Sequence, residues 1–298
     1  MVYTLSMSIS NAIVKCLLRL SGTSKDVSEA TFCREMRENA AKERRAAMRV
    51  PHCLGVRVEL GVYCGMNYFI FIPRETDTNN AILYIHGSGY MNAYRRVQLR
   101  FAADLAKNLH AKVYFPLYPK LPVATARVAY ALLKNFYAFL YKKGEVFLIG
   151  DSSGGALALS LTADHPSVRS VIAISPWVRL DVSEEGRKVE GDLILSLSKL
   201  DYTAKLWRDD LDGGDVRVSP IFGHYEGRDI ILFAGEKEVF RPDILDLFHE
   251  HSARGATVTY VEGRDGQHCY PLMPTKEGRS ARRAIYEKIG EYLYGERS

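Results

Sequence analysis

This chain of 298 residues contains few cysteines, and they are widely spaced in the sequence. The chain has five cysteines, and no two of them have C-x-x-C spacing. An odd, widely spaced set argues against a disulfide framework, and the lack of C-x-x-C pairs argues against a zinc site. We therefore expect free thiols and no bound metal. The cysteines are Cys16, Cys33, Cys53, Cys64 and Cys269.

Long apolar runs and an excess of one charge are also missing. No stretch reaches the roughly 18 apolar residues of a membrane-spanning helix. Lys15 and Arg19 lie inside the apolar N-terminal stretch rather than ahead of it, unlike in a secretion signal. The net charge is only +5, and the basic residues of 34–49 alternate with glutamates, as on a solvated helix face. We expect a cytoplasmic protein with no nucleic-acid partner and no stable membrane insertion, and we leave a homodimer open.

The spacing of apolar residues changes along the chain from helical to strand-like. Apolar residues of 9–20 share one helical face, and 28–48 is rich in Ala, Glu, Arg and Met, so two helices are predicted first. Short apolar runs then alternate with helical stretches, which is typical of a mostly parallel sheet flanked by helices. We predict an eight-stranded α/β sheet whose second strand is antiparallel to the rest. Its strands cover 56–62, 68–72, 81–85, 112–115, 145–148, 170–174, 229–233 and 257–261.

The same pattern divides the chain into parts. Residues 1–50 form N-terminal helices, and residues 51–298 form the α/β domain. Residues 181–218 are charged and poor in strand signals. We expect this stretch to be an insertion lying over the sheet.

One short motif follows the fifth predicted strand. Gly150, Ser152 and Gly154 form a G-x-S-x-G pattern between that strand and a helix. A serine in this setting sits on a tight, strained turn that lifts its hydroxyl to the N-terminus of the helix, where negative charge is favoured. The motif predicts that Ser152 is a nucleophile. The alternative is a Gly/Ser-rich turn that packs closely or binds a phosphate.

A serine nucleophile needs a base. His268 is the only one of the eight histidines after the last predicted strand, in a loop at the edge where Ser152 also stands. Enzymes with this serine turn have the chain order serine, acid, histidine. The order predicts His268 as the base, although a lone loop histidine is otherwise most often a surface residue.

The acid is expected after the strand that precedes the last one, the predicted strand 229–233. Four residues separate Glu238 from that strand, and Val239 and Phe240 follow it, as expected of a partly buried carboxylate. Asp243 comes just after Pro242 and is more simply a residue of the first helical turn. We favour Glu238 and keep Asp243 as the alternative.

The oxyanion of an acyl-transfer reaction needs N–H donors. The stretch YIHGSGY, residues 84–90, follows the strand 81–85, and a loop of small residues there can turn backbone amides toward the nucleophile. We predict that the N–H groups of Ser88, Gly89 and Ser153 form the oxyanion hole. An ordinary strand-ending turn is the alternative for this loop.

From about Val56 onward, these motifs together resemble the hormone-sensitive-lipase-like carboxylesterases, which have the α/β-hydrolase fold. HGSGY is similar to that family's HGGG motif, and GDSSGG is similar to GDSAGG. PLYPKLP, ISPWVRLD, GEKEVFRPDI and HCYPLMP resemble further family segments, the last two those of the acid and the histidine. Three departures are visible: Ser88 replaces a glycine, Ser153 replaces an alanine, and Glu238 stands where the family usually has aspartate. The two serines occupy positions used through the backbone.

The resemblance implies a serine esterase for short acyl chains that needs no cofactor. It also implies that the N-terminal helices and the insertion near 181–218 form a cap over the pocket. The expected partner is a small-molecule ester. An amidase or peptidase-type serine hydrolase and a non-catalytic binding protein remain the alternatives. Aromatic residues in or beside these segments are candidates for the substrate pocket, with core packing as the alternative: Tyr90, Tyr94, Trp207, Phe240 and Tyr270.

Overall fold

The two predicted N-terminal helices are present. The structure, a computed structural model, describes residues 2–5, 9–46, 49–53, 55–76 and 78–295. Helix α1 spans Ile9–Ser21 and α2 spans Glu29–Ala46. Met48, at the end of the second predicted helix, lies outside the described residues.

All eight predicted strands are found in one sheet. The second of them is antiparallel to both of its neighbours. The other pairings among these eight strands are parallel. A ninth strand, which the sequence did not predict, pairs parallel to the last strand at the sheet edge. In chain order the strands are β1 (Val2–Leu5), β2 (Val56–Tyr63), β3 (Met66–Pro73), β4 (Ala81–Ile85), β5 (Lys112–Pro116), β6 (Val146–Asp151), β7 (Ser170–Ile174), β8 (Asp229–Gly235) and β9 (Thr257–Gly263).

The strand order is β1-β9-β8-β7-β6-β4-β5-β3-β2 across the described part of the chain. Strands β4, β6 and β7 are buried at every residue, which explains why nearly all of their residues are apolar. Because β4, β6, β7, β8 and β9 are parallel neighbours, their carboxyl ends meet at one edge of the sheet. Ligand sites of α/β sheets lie at this edge.

Helices cover both faces of the sheet. Apolar residues of α3 and α9 pack on one face, and those of α4, α5 and α8 pack on the other. Residues 181–218, which the sequence predicted to be an insertion, contain α6 and α7 and no strand. None of the described helices has the length and apolar character needed to cross a membrane. The remaining helices are α3 (Arg96–Asn108), α4 (Ala126–Tyr141), α5 (Ser153–Asp164), α6 (Glu184–Arg187), α7 (Leu197–Arg208), α8 (Arg241–Ala253) and α9 (Lys276–Tyr294).

Candidate active site

Ser152 lies on the turn between β6 and α5. Its backbone has φ 53° and ψ −125°, a strained conformation for a residue with a side chain. The turn is so tight that a Cβ atom on Gly150 would collide with the carbonyl of Gly154, and one on Gly154 would collide with the carbonyl of Ile85. This close approach is the reason for the small residues around the serine.

His268 contacts both Ser152 and Glu238. Its Nε2 is 2.9 Å from Ser152 Oγ, and its Nδ1 is 2.9 Å from Glu238 Oε2. Because a carboxylate can only accept, Nδ1 carries the hydrogen and donates it to Glu238. Nε2 is then free to accept the hydrogen bond of the Ser152 hydroxyl. The imidazole is therefore in the tautomer that can take a proton from Ser152.

Glu238, not Asp243, is the carboxylate that reaches the histidine. Its side chain is wholly buried, and its second oxygen, Oε1, accepts the N–H of Gly235 at 3.0 Å. Asp243 lies in the first turn of α8 and accepts a hydrogen bond from Arg179 Nε at 2.9 Å. The structure thus brings Ser152, His268 and Glu238 together, whereas Asp243 is paired with Arg179.

Burial and neighbouring groups act in opposite directions on the histidine. Burial alone would lower the pKa of His268. Interactions with Cys269 and with the carboxylate of Glu238 outweigh burial and raise the pKa above its ordinary value. For Glu238, burial raises the pKa, and the hydrogen bond from His268 opposes that rise only in part.

The loop after β4 is held by a buried aspartate that precedes the nucleophile. Asp151 Oδ1 accepts the Tyr84 hydroxyl at 2.7 Å and the Gly87 N–H at 2.9 Å. Its Oδ2 accepts Gln98 Nε2 at 2.8 Å, and the same Nε2 lies 2.8 Å from the Gly87 carbonyl. The loop and the nucleophile turn therefore form one hydrogen-bonded unit.

The three amides predicted to bind an oxyanion differ in their partners. The Ser88 N–H donates to the side chain of Ser153, with 3.0 Å between Ser88 N and Ser153 Oγ. Within the described residues, the N–H groups of Gly89 and Ser153 have no protein acceptor. Two of the three amides are therefore free. Ser153 was expected to act through its backbone, and its side chain has a contact as well, because its hydroxyl holds the Ser88 amide.

A cavity of about 400 Å³ opens above Ser152 and His268. The loop residues Ser88 and Gly89 line one part of it. The other walls come from helices α1 and α2, from residues between 194 and 203, and from the loops after β7, β8 and β9. Apolar side chains dominate these walls: Val14, Leu18, Leu195, Leu200, Trp177 and Phe240.

Of the five aromatic residues predicted for the pocket, only Phe240 lines this cavity. Tyr90 and Trp207 are fully buried and stack on each other with ring centroids 4.2 Å apart. Tyr94 packs against core rings such as Phe69, and Tyr270 is buried in a short 3-10 turn. These four pack in or against the core instead, because their positions beside functional segments in the sequence do not set the direction of their side chains.

Sequence reasoning missed three residues that shape the site. Trp177, two residues beyond Ser175 in the loop after β7, lines the cavity. Ser175 Oγ accepts the N–H of Cys269 at 2.9 Å and so holds the loop that carries His268. The SPW segment following a strand was a usable signal for the first two. For Gln98, which lies in an ordinary amphipathic helix, no local signal exists.

The N-terminal stretch and residues 181–218 are joined by hydrogen bonds and an ion pair beside the cavity. Asp26 Oδ1 accepts the hydroxyl of Ser196 and the N–H of Ser198, both at 2.9 Å. Glu35 of α2 pairs with Lys199 of α7 at 2.7 Å, and both residues line the cavity. Among the residues that the structure describes, no group of three or more His, Cys, Asp or Glu side chains is placed to hold a metal ion.

Comparison with known sequences agrees with this architecture. The family model described as alpha/beta hydrolase fold matches residues 82–272. A protein named esterase from Acinetobacter venetianus is 27% identical over 185 residues, which are 58% of this chain and 61% of that protein. The chain thus aligns with less than two thirds of the length of this relative.

Solved structures match over nearly their whole length. A hormone-sensitive lipase from a metagenome library has a TM-score of 0.83 and 19% identity, covering 97% of this chain and 100% of that chain. An esterase from the bacterial hormone-sensitive lipase family has a TM-score of 0.82 and 17% identity with the same coverage. At these identities the likeness shows the fold.

Proposed function

Because the chain belongs to the α/β-hydrolase fold family, we propose that it is a serine carboxylesterase acting on short-chain esters. The observation that carries the proposal is the continuous hydrogen-bonded path from Ser152 through His268 to Glu238, with 2.9 Å at each step. This path ends at an apolar cavity beside two free amides. An ester of a small acid fits that combination of nucleophile, base and cavity.

The first half of the reaction transfers the acyl group to the enzyme. Ser152 Oγ attacks the ester carbonyl carbon while its proton passes to His268 Nε2. Glu238 stabilises the imidazolium that forms and keeps its orientation. The carbonyl oxygen becomes an oxyanion beside the amides of Gly89 and Ser153. His268 then gives the proton to the leaving alcohol as the carbon–oxygen bond breaks.

The second half releases the acid. A water molecule gives a proton to His268 Nε2 and attacks the acyl carbon, forming a second oxyanion at the same amides. The bond to Ser152 Oγ breaks, and the serine regains its proton from His268. The enzyme returns to its starting state. His268 acts first as base and then as acid in each half, whereas Ser152 is the nucleophile in the first half and the leaving group in the second.

A stack of aromatic rings supports a short acyl chain. Phe240 lies against His268, Trp177 lies against Phe240, and Tyr90 lies against Trp177, each pair with centroids 5.4 Å apart. Trp207 closes the stack behind Tyr90. Close-packed rings yield little to an extra methylene group. The stack therefore limits how far an acyl chain can extend on this side of His268.

The cap is part of this proposal. Residues 1–50 and the insertion near 181–218 act together as a cap over the α/β domain formed by the rest of the chain. Their mutual hydrogen bonds through Asp26, and the contributions of Leu18 and Leu200 to the cavity wall, support that role. A cytoplasmic location and a homodimer stay predictions.

The proposal is tested with p-nitrophenyl esters of two to twelve carbons and with the matched anilides. We expect the initial rate to be highest for short esters and far lower for anilides. A fluorophosphonate probe should label Ser152, with the modified peptide identified by mass spectrometry. Faster anilide hydrolysis would favour an amidase or peptidase. Absence of both turnover and labelling would favour a binding protein.

The pH dependence of the reaction follows from the pKa of His268. Only the neutral imidazole accepts the serine proton, so kcat/KM should rise with pH through the pKa of His268. Since Cys269 and Glu238 raise this pKa, we expect the acid limb of the profile to have its midpoint above about 6.5, the ordinary value for histidine. A pH–rate profile on the best short ester, at constant ionic strength, measures it. A midpoint below that value would contradict the assigned environment of His268.

A further inference from the structure

We propose that the Ser153 hydroxyl is a positioning group that holds the Ser88 amide out of the oxyanion hole. In the resting enzyme the amides of Gly89 and Ser153 can then bind the oxyanion, whereas the amide of Ser88 is bound to the Ser153 hydroxyl. This inference rests on the proposed esterase function and concerns the same site. Ser153 then has two roles: its amide binds the oxyanion, and its hydroxyl holds the Ser88 amide.

The peptide group between Gly87 and Ser88 is fixed at both ends. Its carbonyl oxygen accepts Gln98 Nε2 at 2.8 Å, and its N–H donates to Ser153 Oγ at 3.0 Å. Gln98 is itself held by Asp151. Because a peptide group is planar, the hydrogen bonds to its carbonyl and from its N–H together fix its orientation, and loss of the N–H bond allows it to turn about the remaining one. The Ser88 N–H therefore points at Ser153 in the resting state.

The next peptide group has the opposite arrangement. The Ser88 carbonyl accepts Asn92 Nδ2 at 2.8 Å and Asn92 N at 3.0 Å. In a trans peptide the N–H points away from the carbonyl, so the Gly89 N–H faces the side opposite Asn92. Gly89 has φ 55°, a left-handed conformation that glycine adopts without strain, and it lines the cavity. Its amide is thus available to a substrate where that of Ser88 is not.

The Ser153 side chain contacts the loop after β4 from within the protein interior and not from the cavity. Its side chain is wholly buried, whereas Ser88 and Gly89 border the cavity. The hydroxyl is therefore a partner of the Ser88 amide and not of the substrate. Alanine at this position would offer no acceptor, and the Ser88 N–H would then have the developing oxyanion as its best partner. A buried donor without an acceptor is costly, which gives this change a driving force.

The test compares Ser153→Ala with the wild type on p-nitrophenyl acetate. A donor that reaches the oxyanion is worth about 10²-fold or more in kcat, and one in a constrained loop should recover part of this, about tenfold. We expect kcat to rise by about that factor, with KM changed by less than about twofold, because the gain occurs in the transition state. A trifluoromethyl ketone, whose adduct with Ser152 carries an oxyanion, should bind more tightly by a similar factor.

Two further variants control for packing. Ser160→Ala makes the same change at another buried position of α5, where the hydroxyl donates to carbonyls far from the loop, and it should leave kcat unchanged. Ser153→Cys keeps the side-chain shape but is a weaker acceptor, so its kcat should lie between those of the wild type and Ser153→Ala.

The outcomes separate this inference from the proposed function. An active wild type with kcat unchanged or lowered in a folded Ser153→Ala variant overturns the inference alone. An unchanged affinity for the ketone in that variant does the same. A wild type that neither hydrolyses the ester nor binds the ketone overturns the proposed function and this inference with it.

Discussion

Replacing Ser152 with alanine is expected to lower kcat on p-nitrophenyl acetate by at least about 10⁴-fold. The variant lacks the oxygen that attacks the ester, and His268 has no hydroxyl to deprotonate. The amides of Gly89 and Ser153 remain and can still stabilise an oxyanion formed by water, so a small residual rate is expected. KM should change little, because the apolar walls of the cavity are untouched.

Steady-state kinetics on the two proteins, purified in parallel, measure this effect. The matched control is again Ser160→Ala, which removes a buried hydroxyl from α5 without touching the site. Thermal unfolding of all three proteins checks that they fold. Equal rates for the wild type and Ser152→Ala would show that the nucleophile is assigned wrongly, and the binding-protein alternative would become the better one.

The second large effect is expected from Glu238→Gln, with kcat lowered by about 10⁴-fold. The glutamine amide can donate to His268 Nδ1, which favours the tautomer with the hydrogen on Nε2. That tautomer cannot accept the serine proton. Loss of the carboxylate also removes an interaction that raises the pKa of His268, so the acid limb of the residual activity should move to lower pH.

Asp243→Asn is the matched control, because Asp243 is the other carboxylate that the sequence offered. Both side chains are buried and both variants exchange one oxygen for an amide. Since Asp243 is paired with Arg179, its loss should lower the melting temperature and leave kcat within a few-fold of the wild type. The reverse result, with Asp243→Asn inactive and Glu238→Gln active, would make Asp243 the acid.

Much of the fold follows from local patterns in the sequence. Apolar runs of strand length, separated by helical stretches, predicted eight strands of one sheet, because burial in the sheet favours apolar residues. The short turn between the first two of these runs predicted that the second strand is antiparallel. The small residues around Ser152 were equally informative, since Gly150 and Gly154 lie where no side chain fits. The ninth strand, β1, has no such signal, because a run of four residues is too short to show a distinct apolar pattern.

The sequence by itself determined the fold class, the serine on its strained turn and the order of the groups that follow it, because each depends on neighbouring residues. The tertiary structure alone decided which carboxylate meets His268, since Glu238 and Asp243 differ mainly in the direction of their side chains. It also decided that Tyr90 and Trp207 stack behind the cavity and that the Ser88 amide binds Ser153. These outcomes depend on contacts between segments far apart in the chain, whose geometry no local pattern records.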